Sequence, residues 1–459
     1  MTNTDKEKDS EKSGISRQQA SCWNAGFAFM TITLIAIFGY SLFIRDMTLY
    51  QIAILAISIY TMGTMGICIF LPYRKHNLSD KRPYISILVP AKNEELVIEN
   101  TVRSLFEIDY KNEDGSPNFE VLIIDDNSDD GTLEVLKRLK EEYPALRPIH
   151  RESGRKGKSA VLNYAVPMAK GELIAVFDAD TIVEKDFFEK TVKHFNADNI
   201  AGVQGRVKIF NRNANVLTKL QDDEFTVFAH MLQVSKSIFG GIMQLAGNGQ
   251  IVRKDALMEA GGWNELSSTD DQDLTIKLLL NGKLVNYVPE AAIWQEAIKK
   301  PYQLLRQRIR WAEGMLKCIF DYIFPVLTHK KLSLLQKIDG LAGSMRIAAT
   351  IVVWIGYIQL FTIYFCPTLT YYSSEPRGVF CDAGRLVIFI VVMLGGLLKY
   401  HEKFSFTDLL RFPLYWIYNI IWLIAAPIGY INSIRYRNKI VWDKTEHNVK
   451  DASIPPASK

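Results

Sequence analysis

Two stretches near the start of the chain, Ala25–Ile44 and Leu49–Pro72, contain no charged side chain. At about 1.5 Å of rise per residue, each can cross roughly 30 Å of hydrocarbon as a helix. Apolar stretches return at Ile347–Tyr372, Leu386–Leu398 and Phe412–Ile434, whereas Arg74–Met345 has the mixed composition of a water-facing domain. The chain therefore reads as a globular domain bracketed by membrane. The expected boundaries are a tail at 1–24, two spans in 25–73, a cytosolic domain at 74–300, interfacial helices at 301–345, further spans in 346–434 and a tail at 435–459.

Met1–Gln19 is polar, carries both charge signs and lacks a basic n-region and a small-residue cleavage site, so it reads as a disordered cytosolic tail. Basic clusters at Lys399/Lys403/Arg411 and Arg435/Arg437/Lys439 both favour the cytosol, yet they flank Phe412–Ile434, which is long enough to span. With Leu386–Leu398 short for a crossing, four spans are expected: two N-terminal, then Ile347–Tyr372 and Phe412–Ile434. The net charge of +4 over 459 residues gives no basic surface for nucleic acid. Five cysteines without CxxC spacing and seven scattered histidines signal neither a zinc site nor a disulfide framework.

Within the middle domain, β-rich apolar runs alternate with polar loops and amphipathic segments. Tyr84–Pro90 leads into AKNEE and a helix over Glu95–Phe106; Phe119–Ile124 leads into DDNSDDGT and a helix over Leu133–Glu142; Glu172–Phe177 leads into DAD and a helix over Glu184–Phe195. This alternation predicts an α/β fold with a mostly parallel sheet covered on both faces, ligands binding beyond the carboxyl ends of the strands. All three of those loops carry acids. Further on come a helical stretch Asn215–Lys236, a glycine-rich segment Gly240–Gln250, an acidic cluster Ser268–Asp273 opening a helix over Leu274–Leu280, and an amphipathic helix over Pro301–Leu327. The last sets Arg306, Arg308, Arg310 and Lys317 beside Trp311, Leu316, Ile319 and Phe320, the pattern of a helix lying at a membrane interface.

Asp178 and Asp180 follow an apolar strand, and two carboxylates two positions apart can share a hard divalent cation bridging a diphosphate. Acid pairs are also common in ordinary loops; what distinguishes this one is Asp126 after the preceding strand and Lys158 in a Gly-Lys-Ser step between them. Asp126 could hold the base or ribose of a nucleotide, and Lys158 the base or a phosphate, so together they outline a nucleotide-diphosphate site. Asp271, where a helix starts after a glycine-rich loop, is the candidate general base, the alternative being that Asp270, Asp271 and Asp273 only cap that helix. Gln307, Arg310 and Trp311 share one helix face and offer an amide, a cation for phosphate and an aromatic platform for a sugar; the alternative is a basic face snorkelling under the bilayer.

In this order, Asp126, then Asp178 and Asp180, Asp271, and finally QRIRW resemble the motif set of the membrane family 2 glycosyltransferases, the group of cellulose, hyaluronan and poly-N-acetylglucosamine synthases. The resemblance covers roughly Tyr84 to Trp442. It implies a GT-A fold, an inverting mechanism and a UDP-sugar donor, with Asp126 on the uridine, Asp178 and Asp180 on the diphosphate and Mg2+, Asp271 as base, and Gln307, Arg310 and Trp311 on the acceptor sugar and donor phosphates. Asp270 stands where the family usually has Glu, and Val441–Thr445 is similar to a stretch that folds over the donor in some members. The phrases VPAKNEE, IDDNS, VFDADT, GNGQ, GGWNE and RWAEG look most like the cyanobacterial β-monoglucosyldiacylglycerol synthases. That likeness implies UDP-glucose as donor, diacylglycerol as acceptor and a multi-pass protein with a cytosolic catalytic domain, in the plasma membrane or a thylakoid. The alternatives are a processive polysaccharide synthase and, in a different class, a UDP-sugar-binding sensor without turnover.

Overall fold

A computed structural model describes residues 17–40, 48–73, 78–365, 376–401, 405, 408 and 410–437. The stretch Val441–Thr445, the basic residues Lys403 and Lys439, and the end of Ile347–Tyr372 lie outside the described residues. The chain divides into two compact units: Tyr73–Leu304 belongs to one, and the other joins the helices before Pro72 to those after Leu305.

The second of these contains α1 (Arg17–Gly39) and α2 (Thr48–Phe70), the first beginning inside the expected tail. In Tyr73–Leu304, β1 (Ile85–Ala91), α3 (Ile98–Phe106), β2 (Phe119–Asp125), α4 (Thr132–Glu142), β3 (Leu146–His150), α5 (Lys158–Ala165) and β4 (Leu173–Val176) follow one another. The short strand β5 (Ile182–Val183) precedes β6 (Ile200–Ile209), the helical run Val216–Phe239, β7 (Gln250–Arg253), α6 (Asp270–Leu280) and β8 (Leu284–Gln295). The eight strands form one sheet in the order β3-β2-β1-β4-β7-β6-β8-β5. Four of its pairings are parallel (β1/β2, β1/β4, β2/β3, β6/β8), and three are antiparallel (β4/β7, β6/β7, β5/β8).

Burial on both faces explains why the first strands are apolar throughout. Along β1, Ile87 and Val89 join Ile123, Phe177, Phe187 and Phe188 on one face, while Leu88 joins Leu122, Ile124, Val176 and Leu274 on the other. The chain moves outward from β1 through β2 to β3 and then returns to place β4 on the other side of β1. That reversal makes a topological switch point at the carboxyl ends of β1 and β4, the place where open α/β sheets generally bind ligands.

Several expected elements shift. β3 separates two strands that the sequence makes consecutive, so the DAD motif follows the fourth strand. Glu184–Phe195 resolves into a five-residue helix, Phe187–Thr191, and a 3-10 turn, Val192–His194. The run Val216–Phe239 passes through a π-helical turn at Phe225–Met231. The acids expected to precede the helix at Leu274 lie inside its first turn, since α6 starts at Asp270.

The other unit takes in α7 (Pro301–Thr328) from Leu305 onward, then α8 (Leu334–Phe365), α9 (Pro376–Tyr400) and α10 (Phe412–Arg435). Leu386–Leu398, short for a crossing as read from the sequence, is the later part of the 25-residue α9. Lys399 Nζ donates to the carbonyls of Cys68 (2.8 Å), Ile69 (3.0 Å) and Leu71 (3.2 Å), so it caps the end of α2. Among the described residues, Gln19–Ile37 and Pro413–Arg435 are long and apolar enough to cross a membrane.

Candidate active site

The DAD loop is held from both sides. Asp178 lies half-exposed at the end of β4, and Lys158, the first residue of α5, places Nζ 2.5 Å from its Oδ1. The same ammonium donates to the carbonyl of Gly247 at 2.8 Å. Burial disfavours the Lys158 charge, but Asp178, Asp270 and Asp271 together outweigh it and hold its pKa above the ordinary lysine value. Lys158, open between base and phosphate in the sequence, is thus paired with the acidic motif. Asn248 fixes the loop from beneath: its Oδ1 accepts from Asp178 N (3.2 Å) and Thr181 Oγ1 (3.0 Å), and its Nδ2 donates to Gln295 Oε1 (3.2 Å).

Asp126 follows β2 and is joined to β1 by its own amide, which donates to Ala91 O at 2.8 Å. Its Oδ1 receives Arg151 Nε at 3.0 Å and a terminal Arg151 nitrogen at 2.6 Å, a pairing that leaves Arg151 only 5% exposed. Gly154 has φ +126°, and a Cβ there would stand 2.7 Å from the guanidinium, so glycine is required on two counts. Lys92 Nζ closes the same loop on the carbonyls of Asp126 (2.9 Å) and Asn127 (2.7 Å). Arg151, Lys92 and Asn248 were not singled out from the sequence. The local signals were the basic, glycine-bearing segment HRESGRKGKS for Arg151 and the AKNEE and GNGQ runs for Lys92 and Asn248, while their partners lie 25, 34 and 70 residues away.

Thr269 is the N-cap residue of α6 but makes no side-chain capping bond, and Asp270, Asp271 and Asp273 all fall in the first turn. Asp273 is spoken for: it accepts from Lys277 Nζ at 2.7 Å and Asn264 Nδ2 at 2.9 Å. Asp271 is half-buried with Gln272 N on its Oδ1 at 2.9 Å, while its Oδ2 faces the glycine loop. A Cβ on Gly247 would lie 3.5 Å from Asp271 Oδ2 and 3.7 Å from Lys158 Nζ. Burial, and then the neighbouring Asp270, push the Asp271 carboxyl up to about 7; burial also raises Asp270. A carboxyl in that range can take a proton near neutral pH, which a pure helix cap would have no need to do.

The remaining predicted residues belong to the other unit, on α7. Gln307, Arg310 and Trp311 are each partly exposed on that helix. Two of the four cations expected at a membrane surface are instead enclosed by protein. Arg308 is fully buried, with its guanidinium 4.1 Å from the Trp311 ring centroid, 5.4 Å from that of Trp422, and 3.3 Å from Tyr418 Oη. Lys317 pairs with Glu313 at 2.7 Å and donates to Tyr436 O at 2.8 Å. The reason is packing: α7 carries Ala312, Leu316 and Phe320 into a core with α1, α8 and α10, so residues one turn away are covered too. Trp311 therefore has one ring face occupied by Arg308.

A sheet with acidic loops at its switch point, a cation on Asp178 and a carboxyl whose pKa is raised to about 7 opposite it is an arrangement suited to a group-transferring enzyme. The chain belongs to the family described as glycosyltransferase like family 2, whose model matches residues 82–314. It is a glycosyltransferase. Among curated proteins it is 33% identical over 380 residues to the β-monoglucosyldiacylglycerol synthase of Trichormus variabilis, covering 80% of this chain and 76% of that protein. It is 29% identical over 251 residues to the poly-β-1,6-N-acetyl-D-glucosamine synthase of Staphylococcus epidermidis, covering 54% and 59%. Among solved structures, a mannosyltransferase from Pyrobaculum calidifontis in complex with GDP-Man and Mn2+ superimposes with a TM-score of 0.60 at 20% identity, covering 84% of this chain and 99% of that one, a likeness of GT-A fold.

Proposed function

We propose that the chain moves a hexose, glucose by preference, from a UDP-sugar to the free hydroxyl of a membrane lipid, 1,2-diacylglycerol, with inversion at the anomeric carbon. The observation that carries this reading is Lys158, which pairs with Asp178 and meets Asp271 at Gly247, so that a cation and a metal-type carboxylate stand near a titratable base.

In the mechanism, Asp271 takes the proton of the incoming hydroxyl as its oxygen attacks the anomeric carbon from the face opposite the diphosphate. Lys158 neutralises charge on the departing UDP. Asp126, held rigid by Arg151, accepts hydrogen bonds from the uridine. For Gln307, Arg310 and Trp311 on α7, the family resemblance implies contacts to the acceptor and to phosphate. Asp178 and Asp180 fit a divalent cation, since both are partly exposed oxygen donors after a strand end, and the pairing of Asp178 with the Lys158 ammonium is consistent with a spot that attracts positive charge. When bound, Mg2+ would supply Lewis-acid stabilisation of the leaving diphosphate.

The lipid acceptor and the multi-pass membrane topology, with the catalytic unit on the cytosolic side, are supported by the relationship to the lipid glucosyltransferase over four-fifths of the chain and by the two long apolar helices. Purified protein in liposomes containing diacylglycerol, supplied separately with labelled UDP-glucose, UDP-galactose and UDP-N-acetylglucosamine, should put label into the chloroform phase with UDP-glucose preferred. Label in a water-soluble polymer with an empty lipid fraction would replace this reading with polysaccharide synthesis.

A further inference from the structure

Five residues after Lys158, helix α5 carries Asn163, whose carboxamide reaches the GGWNE loop a hundred positions away. Asn163 Nδ2 donates to Trp263 O at 2.8 Å, and Trp263 N donates back to Asn163 Oδ1 at 3.0 Å. The side chain thus pairs with the Trp263 backbone as a neighbouring strand would, and its second amide hydrogen reaches Glu265 Oε1 at 3.1 Å. The approach is close enough to fix the residue before it: Gly262 has φ +74°, and a Cβ there would sit 2.6 Å from Asn163 Oδ1. Trp263 itself is 2% exposed, packed with Leu274 and Leu278 of α6.

From this anchor the loop runs in closed hydrogen bonds to the helix that bears Asp271. Leu266 N donates to Asn264 Oδ1 at 3.0 Å, Asn264 Nδ2 donates to Asp273 Oδ1 at 2.9 Å, and Asp273 pairs with Lys277 at 2.7 Å. One short helix therefore holds the acidic metal-type motif at its first residue, through Lys158, and the loop leading to the candidate base at its sixth.

We propose that Asn163 is a positioning residue: its carboxamide sets the GGWNE loop, and through it the first turn of α6, so that the Asp271 carboxyl stands at the right place relative to Lys158 and Asp178. The inference rests on the reading of Asp271 as base. Asn163→Asp keeps the size of the side chain but turns its two donors into an acceptor facing Trp263 O and Glu265. Displacing a catalytic group by about 1 Å can cost up to ~100-fold in rate, so kcat should fall at least ~10-fold while donor KM and the Kd for UDP with Mg2+ stay within about twofold.

The test uses the full chain in diacylglycerol liposomes, with UDP release, UDP calorimetry and amide hydrogen exchange read on Asn163→Asp, Gly262→Ala, and Asn163→Ala with and without Gly262→Ala. Gly262→Ala should reproduce the kcat loss with Asn163 intact, and should cost less in the Asn163→Ala background, where its added methyl no longer meets the carboxamide. Exchange should rise across residues 262–269 and stay unchanged in β1 and β2. Full kcat in Asn163→Asp, or equal losses in kcat and in UDP affinity, would overturn the proposal. Asp271→Asn run in parallel separates the two layers. An active Asp271→Asn removes the base assignment, whereas an inactive one beside a fully active Asn163→Asp removes the positioning role alone.

Discussion

Asp270 raises the pKa of its neighbour, and that makes Asp270→Asn an instrument for reading Asp271 in the working enzyme. In the wild type, burial and the Asp270 charge bring the Asp271 carboxyl from 3.8 to about 7. Only the ionised form can accept a proton, so about a tenth of the enzyme is competent at pH 6 and about nine-tenths at pH 8, and kcat/KM should climb roughly tenfold between them. Removing the Asp270 charge leaves burial in place, so the acidic limb should move to lower pH without reaching 3.8, and the variant should retain more of its plateau activity at pH 6 than the wild type does. Linkage gives a second reading. A carboxyl whose pKa is raised in the folded state contributes stability that is present below its unfolded value and is lost as pH rises through its folded value, here between 3.8 and about 7. Asp271→Asn should therefore be more resistant to thermal unfolding than wild type at pH 8 and not at pH 4, while inactive at both. The assay is initial-rate transfer at saturating Mg2+ from pH 5 to 9, with thermal scans of the same proteins. Coincident acidic limbs in wild type and Asp270→Asn would refute the electrostatic reasoning.

Other outcomes follow from the same geometry. Arg151→Ala leaves the Asp126 carboxylate without its partner, and removing one member of a buried pair costs about 3–5 kcal/mol, so the Kd for UDP should rise sharply and the melting temperature fall; unchanged UDP calorimetry would contradict the role given to Asp126. Asp180→Asn should abolish turnover and weaken UDP binding chiefly when Mg2+ is present, and equal wild-type UDP affinity with and without the ion would sink the metal assignment. Gly247→Ala adds a methyl 3.5 Å from Asp271 Oδ2 at a residue with φ +69°; it should depress kcat, and a fully active variant would show that this loop does not shape the site.

Much of this site was legible because the strands that build it are short apolar runs ending in acids. β1, β2 and β4 each announce themselves that way, and the alternation of strand and helix puts Asp126, Asp178 and Asp180 at one end of the sheet. The edge strand β3 was not legible: LRPIH holds a proline and an arginine, and only Leu146 is buried, so periodicity is absent. Nor was β7, a four-residue strand whose pairing with β4 and β6 is antiparallel and non-local. The residues that steady the site escaped for a related reason. Asn163 and Asn248 are ordinary polar residues until the fold brings partners from 100 and 70 positions away. Arg308 and Lys317 misled in the opposite sense: their spacing on an amphipathic helix fits a membrane-facing stripe, and only tertiary packing reveals that protein covers them.

The central claim is that Asp271 is the base of an inverting transfer, and single-turnover kinetics with product stereochemistry test it most directly. Enzyme in diacylglycerol liposomes, preloaded with Mg2+ and α-linked UDP-glucose, should give a lipid product whose anomeric proton reports the β configuration. Loss of a positioned base costs about 10²–10⁴-fold, so Asp271→Asn should transfer that much more slowly while binding UDP with near wild-type affinity. An α-linked product, or an Asp271→Asn variant within tenfold of wild type, would contradict the account.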